Sequence, residues 1–215
     1  QYFRENYNNS LRSLPILRSS INITKIEVWV TNIGPSTTEN RNIIAVSKLG
    51  EKINNGRSVY PNNKFEGDNF YNNLIKPQVR DVNQANNYLT SQKLVSGIDF
   101  EKIENARKLN PSEYTINNKL GFISLNSPLN SDQVLAVAYQ YTVIGDNKTY
   151  QVGEFSNGGI NAPQALIVKL IKSSSLNTRI GLWKLMMKNV YSIGAYQLNN
   201  QDFRLNILFS GDENG

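Results

Sequence analysis

Residues 134–155 read VLAVAYQYTVIGDNKTYQVGEF, and this stretch decides the fold class. From Leu135 through Val137, Tyr139 and Tyr141 to Val143, every second side chain is large and apolar, the period of a strand with one face on a core. Ile144-Gly145-Asp146-Asn147-Lys148 has the residues of a hairpin loop. Thr149 to Phe155 then returns with the same alternation through Tyr150 and Val152. The spacing predicts an antiparallel hairpin.

Upstream, Ile21 to Asn32 alternates with Ile26, Val28 and Val30 on one face, which puts Trp29 on the polar face. Gly34-Pro35 opens a turn, and Arg41 to Val46 forms a second strand expected to pair with the first. Leu120 to Leu125 predicts a short strand, and Ser127 to Asn130 a turn. Downstream, Ala165 to Ile171 places Leu166, Val168 and Leu170 together. Trp183 to Val190 leads into a final alternating strand carrying Phe203, Leu205, Ile207 and Phe209.

Helical spacing occurs in the middle of the chain. Residues 54–77 are rich in Asn and broken by Gly56, Pro61, Gly67 and Pro77, so only a brief helix over 68–75 is expected there. Val82, Ala85 and Leu89 predict a helix over 81–89; Phe100, Ile103 and Ala106 predict another over 99–109, closed by Pro111. The whole pattern describes a mainly β, sandwich-like antiparallel domain with a short helical insert over about 64–109, or an α+β domain if the helices are extensive. No internal repeat or linker divides it, so residues 1–215 read as a single soluble domain, expected to be monomeric.

Apolar residues make up 39% of the chain and charged residues 19%, so Asn, Ser, Gln and Thr supply much of the surface, favouring turns over long helices. Cysteine and histidine are both absent. Disulfides, thiolate chemistry and every Ser-His or Cys-His nucleophile are therefore excluded. The formal charge is +6. Its basic residues are scattered apart from Lys169, Lys172, Arg179, Lys184 and Lys188, which reads as a solvated face, and no nucleic acid partner is expected.

Local candidates for chemistry have structural explanations. Asp99, Glu101 and Glu104 would suit the first turn of the expected helix, with Asp99 at the N-cap. Asp146 with Asn147 fits a turn, and Asp212 with Glu213 a chain end, better than a calcium loop. The run from Gly153 to Gly159 lacks the Gly-Lys-Ser/Thr of a phosphate loop. No cofactor, metal or catalytic residue is therefore assigned. Trp29, Tyr139, Tyr141 and Tyr150 remain as a possible interaction surface, for protein or for sugar, although tyrosines on strands more often fill the core with their hydroxyls at its rim, and that reading is favoured for them.

Several segments carry a resemblance. They are Arg4 to Leu11, Ile23 to Asn32, Arg41 to Ala45, Leu120 to Asn126, Asp132 to Tyr139, Tyr150 to Phe155 and Trp183 to Tyr191. In this order they resemble the SprA/Sov family, the giant outer-membrane translocons of the type 9 secretion system. The resemblance implies a non-catalytic piece of a much larger barrel protein that passes folded cargo to the cell surface and, in some bacteria, serves gliding motility. It implies other secretion-system subunits and secreted cargo as partners, and membrane contact only through the parent barrel. Gln1 to Asn9 reads as the interior of such a longer chain. The alternating runs are too few and too short for a barrel wall, so an insertion between barrel strands is expected, extracellular rather than periplasmic because extracellular loops are the longer ones. The alternative is a carbohydrate-binding β-sandwich module at the cell surface.

Overall fold

The computed structural model describes residues 2–35, 39–50 and 70–187, together with 199, 201, 204 and 206. Its elements are α1 (Tyr2–Leu11), β1 (Ile21–Val30), β2 (Asn40–Val46), α2 (Phe70–Leu74), α3 (Pro77–Arg80), α4 (Val82–Ser91), β3 (Phe100–Lys108), β4 (Tyr114–Asn117), β5 (Phe122–Leu125), β6 (Leu135–Val143), β7 (Thr149–Val152) and β8 (Leu166–Lys172). The chain is mainly β, and its helices are short, as the sequence indicates.

The β6–β7 hairpin forms where expected, with Tyr139 opposite Val152 and Thr142 opposite Thr149. On its other edge β6 runs antiparallel to β1, from Ile21↔Val143 to Val30↔Leu135. The beginning of β6 also pairs with β8, β8 runs parallel to β2, β2 pairs with β3, and β3 reaches β1 at Trp29↔Lys108. Five strands thus form a circuit, β1-β3-β2-β8-β6 and back to β1, which joins the layers of the expected sandwich. The β4–β5 hairpin is a separate small sheet.

Closure explains the burial. A strand in an open sheet with one wet face alternates between buried and exposed, but Leu135 to Tyr139 are buried without interruption. One cluster joins Trp29, Ile43, Ala45, Ile103, Ala106, Ala136, Ala138, Leu166, Val168 and Leu170, drawn from all five strands. Alanines on three of those strands leave room for the indole, as close packing requires. On the opposite face, Val28, Val30, Ile44, Phe100, Val137 and Ile167 pack with Val79 of α3, Ala85 and Leu89 of α4, and Tyr114 of β4. Helix α4 starts where its cap predicts, the Asp81 carboxylate accepting from the Asn83 N–H at 2.9 Å.

Two expectations are corrected, and two elements form that were not expected. Residues 99–109 form strand β3 rather than a helix. Between Arg41↔Ala106 and Ile43↔Ile103, β3 advances three residues while β2 advances two, a bulge that holds Asn105 at φ 53°. That extra residue turns a strand's period of two into an apparent helical period of three. Second, β1 and β2 are not neighbours, because β3 lies between them. Third, α1 forms although its sequence is polar, because Asn6 and Ser10 are buried and anchored: Asn6 Nδ2 donates to Lys119 O at 3.1 Å and Ser10 Oγ to Arg18 O at 2.9 Å. Fourth, β4 forms without having been foreseen. The expected strand around Phe203 to Phe209 lies outside the described residues.

Candidate functional site

A recess of about 660 Å³ opens beside the β1–β6 pair. Ile23 and Ile26 of β1 and Val137 and Tyr139 of β6 line it, with Phe3 of α1 and Phe122, Ile123 and Leu125 of β5. Ile171 of β8 and the 3-10 turn Gly181–Leu185, followed by Met186 and Met187, complete the lining. The hairpin places its side chains through antiparallel register, Ile116 opposite Ile123 and Tyr114 opposite Leu125. The 3-10 turn is held down by Leu182, which is buried in the alanine-rich cluster.

Among the described residues, the charged ones lining this groove are all basic: Arg4, Lys169 and Lys172. Lys169 is buried and donates to Ser47 O at 2.6 Å. Lys172 Nζ is surrounded by carbonyl oxygens, with Gln133 O at 2.6 Å and Ser131 O at 2.8 Å, and burial pulls its pKa below the ordinary lysine value against the opposing pull of Asp132 and Glu101. Lys169 is therefore internal and Lys172 half-buried, which corrects the expected solvated basic face at those two positions; Arg179 and Lys184 are exposed as expected, and Lys188 lies outside the described residues. The volume lies within the range of ordinary ligand pockets, and the aliphatic and aromatic lining suits an apolar segment. Both methionines of the chain, Met186 and Met187, sit at this wall about 40% exposed, and unbranched thioether side chains adapt their shape to whatever they touch.

The carboxylates singled out in the sequence go separate ways. Asp99 accepts from Val95 N at 3.0 Å and pairs with Lys48 at 3.1 Å, so it closes a turn instead of capping a helix. Glu101 is buried and accepts from Ser173 Oγ and from the N–H and Oγ of Ser174. Glu104 pairs with Lys102 at 2.8 Å. Asp146 accepts from the Tyr150 hydroxyl and the Lys148 N–H. Among the described residues no group of His, Cys, Asp and Glu could hold a metal ion, and no helix is long and apolar enough to cross a membrane.

The aromatic residues singled out as a possible surface lie mostly inside, the tyrosines as the core reading expects and Trp29 against its expected place on a polar face. Trp29 is fully buried, with Lys108 Nζ 5.8 Å from its ring, because its strand has no wet face there. Tyr141 and Tyr139 are buried, and Tyr150 is half-buried and stacks on Tyr141 at 5.3 Å. Phe3 meets Tyr139 and Tyr141 edge-on, each at 5.2 Å. Of the four, only Tyr139 reaches the groove. The residues missed were Trp183, Leu185, Met186 and Met187, whose sequence signal is the apolar WKLMM run with no strand alternation. Neither a protein-family model nor a curated protein sequence matches this chain.

Proposed function

We propose that this chain is a non-catalytic recognition domain of an outer-membrane translocon of the SprA/Sov type, in the type 9 secretion system. It caps or shapes the pore, and its groove takes an apolar extended segment of a partner subunit or of a secreted cargo protein. The single observation that carries the binding role is the groove itself: lined mainly by aliphatic and aromatic side chains, with both methionines at its wall. Support for the parent protein is the ordered series of segments resembling that family. The carbohydrate alternative loses its stacking platform with Trp29 buried.

The domain stands on the outer side of the membrane in this reading, as a long insertion between barrel strands would. An epitope inserted at Gly158-Gly159, an exposed loop with open space around Gly159, is then reached by antibody on intact cells. Labelling only after permeabilisation contradicts that position. Ile123→Asp combined with Met187→Asp in the full-length protein is expected to stop export while the protein still reaches the membrane. Unchanged export would refute the binding role.

A further inference from the structure

Three adjoining segments carry exposed aliphatic side chains together with exposed cations. Leu14, Ile16 and Leu17, between α1 and β1, are 61%, 62% and 39% exposed, and Ile144 in the β6–β7 loop is 78% exposed. Backbone contacts bring the two segments together: Ile144 N donates to Ser20 O at 2.8 Å. The β4–β5 turn joins them, with Ser19 Oγ donating to Lys119 O at 2.6 Å and Ile23 N to Asn118 O at 2.9 Å. Arg12, Arg18, Lys119 and Lys148 are all exposed on these same three segments. The one carboxylate in the β6–β7 loop, Asp146, is engaged by the Tyr150 hydroxyl and the Lys148 N–H.

We propose that these segments dock on the surface of an anionic phospholipid bilayer, their four aliphatic side chains entering the headgroup boundary and their four cations pairing with lipid phosphates. Aliphatic side chains that stand out singly suit a deformable medium, whereas a protein partner would need a matching socket for each. The excess of cations fits a negatively charged surface and brings a strong dependence on salt. The proposal stands independently of the translocon reading.

The test uses the purified chain and sedimentation with vesicles of phosphatidylcholine alone or with about one-third phosphatidylglycerol. Binding is expected only to the anionic vesicles, and it falls about fivefold for each cation replaced in the series Arg12→Gln, Arg18→Gln, Lys119→Gln, Lys148→Gln. Leu14→Ser with Ile16→Ser and Ile144→Ser removes it while the melting temperature changes little, because these side chains are mostly exposed. Ile16→Trp adds a fluorophore whose emission shifts to the blue on vesicle addition. No binding, equal binding to neutral vesicles, or binding indifferent to the serine variant overturns the proposal. Self-association abolished by the serine variant also overturns it, in favour of a contact between copies.

Discussion

Glu154 and Arg80, 74 residues apart, form a two-pronged ion pair in which Arg80 Nη1 and Nη2 each lie 2.5 Å from a different carboxylate oxygen. The same carboxylate accepts from the Tyr71 hydroxyl and from Ile167 N, so one side chain ties α2 and α3 to β8. Burial works against the Arg80 charge, but Glu154 outweighs it and holds the arginine pKa above its ordinary value. Burial and the neighbouring Glu154 charge push the Tyr71 hydroxyl well up.

Breaking this pair from one side leaves a charge without its partner in a largely dry place. Glu154→Gln is expected to lower stability by about 3 kcal/mol, and Glu154→Leu with Arg80→Met to recover most of that loss. Equilibrium denaturation of the wild type, Glu154→Gln, Glu154→Leu, Arg80→Met and the double variant measures these losses. Additive losses would mean that the two residues do not act as a pair.

Trp29 gives a second test, since the closed sheet puts it inside. Trp29→Ala is expected to cost about 3–5 kcal/mol, the range for deleting a fully buried aromatic side chain. Trp29→Phe keeps the fold, and the emission lost between the wild type and this variant is that of a buried indole. Quenching of that component by acrylamide, as for a tryptophan in water, would place it on the surface.

Gly153 and Gly159 both have left-handed backbone, at φ 78° and 88°, but differ in surroundings. A Cβ on Gly153 would lie 3.1 Å from Ala138 Cα, while Gly159 has open space. Gly159→Ala is expected to cost about 1 kcal/mol from backbone strain alone, and Gly153→Ala clearly more. Denaturation midpoints with equal slopes measure the difference. Equal losses would show that β7 does not turn so closely against β6.

Acid should destabilise the protein from about pH 4.5 downward. Burial tends to raise the Glu113 pKa, but Arg107 at 2.8 Å and the Asn110 N–H outweigh it and hold the carboxyl below its ordinary 4.5. Glu39 is likewise held low against burial, by Lys108 at 2.6 Å and Ser156. Stabilisation from a depressed carboxyl is complete above its unfolded pKa and is lost as the pH falls through the folded one. Lys108, whose pKa Glu39 and Glu27 raise despite burial, adds stability that disappears only on the alkaline side, above its ordinary 10.5. Calorimetric melting temperatures should therefore fall below pH 4.5, less steeply in Glu113→Gln. An identical acid slope in the variant would remove Glu113 from the account.

Alternation made the β6–β7 hairpin and most of β1 and β8 legible, and the spacing of Val82, Ala85 and Leu89 marked α4, because these features depend on neighbours a few residues away. What sequence reading lost depends on closure. Trp29 shares its face of the strand with the polar Glu27 and Thr31, and the pairing of β1 with both β3 and β6 encloses that side of the sheet. Residues 99–109 misled because a bulge changes the spacing of the buried side chains without adding a Gly or Pro as a signal. The groove was invisible for a related reason: residues from 3 to 187 line it, and no single segment holds its pattern.

The recognition role is tested most directly by a photo-crosslinking amino acid at Met186 in the full-length protein, activated in secreting cells. The account predicts adducts that mass spectrometry identifies as secreted proteins or subunits of the secretion machinery, absent when the crosslinker replaces Thr115 on the exposed side of β4. No adduct at Met186 during active secretion, or the same adducts from both positions, would contradict it.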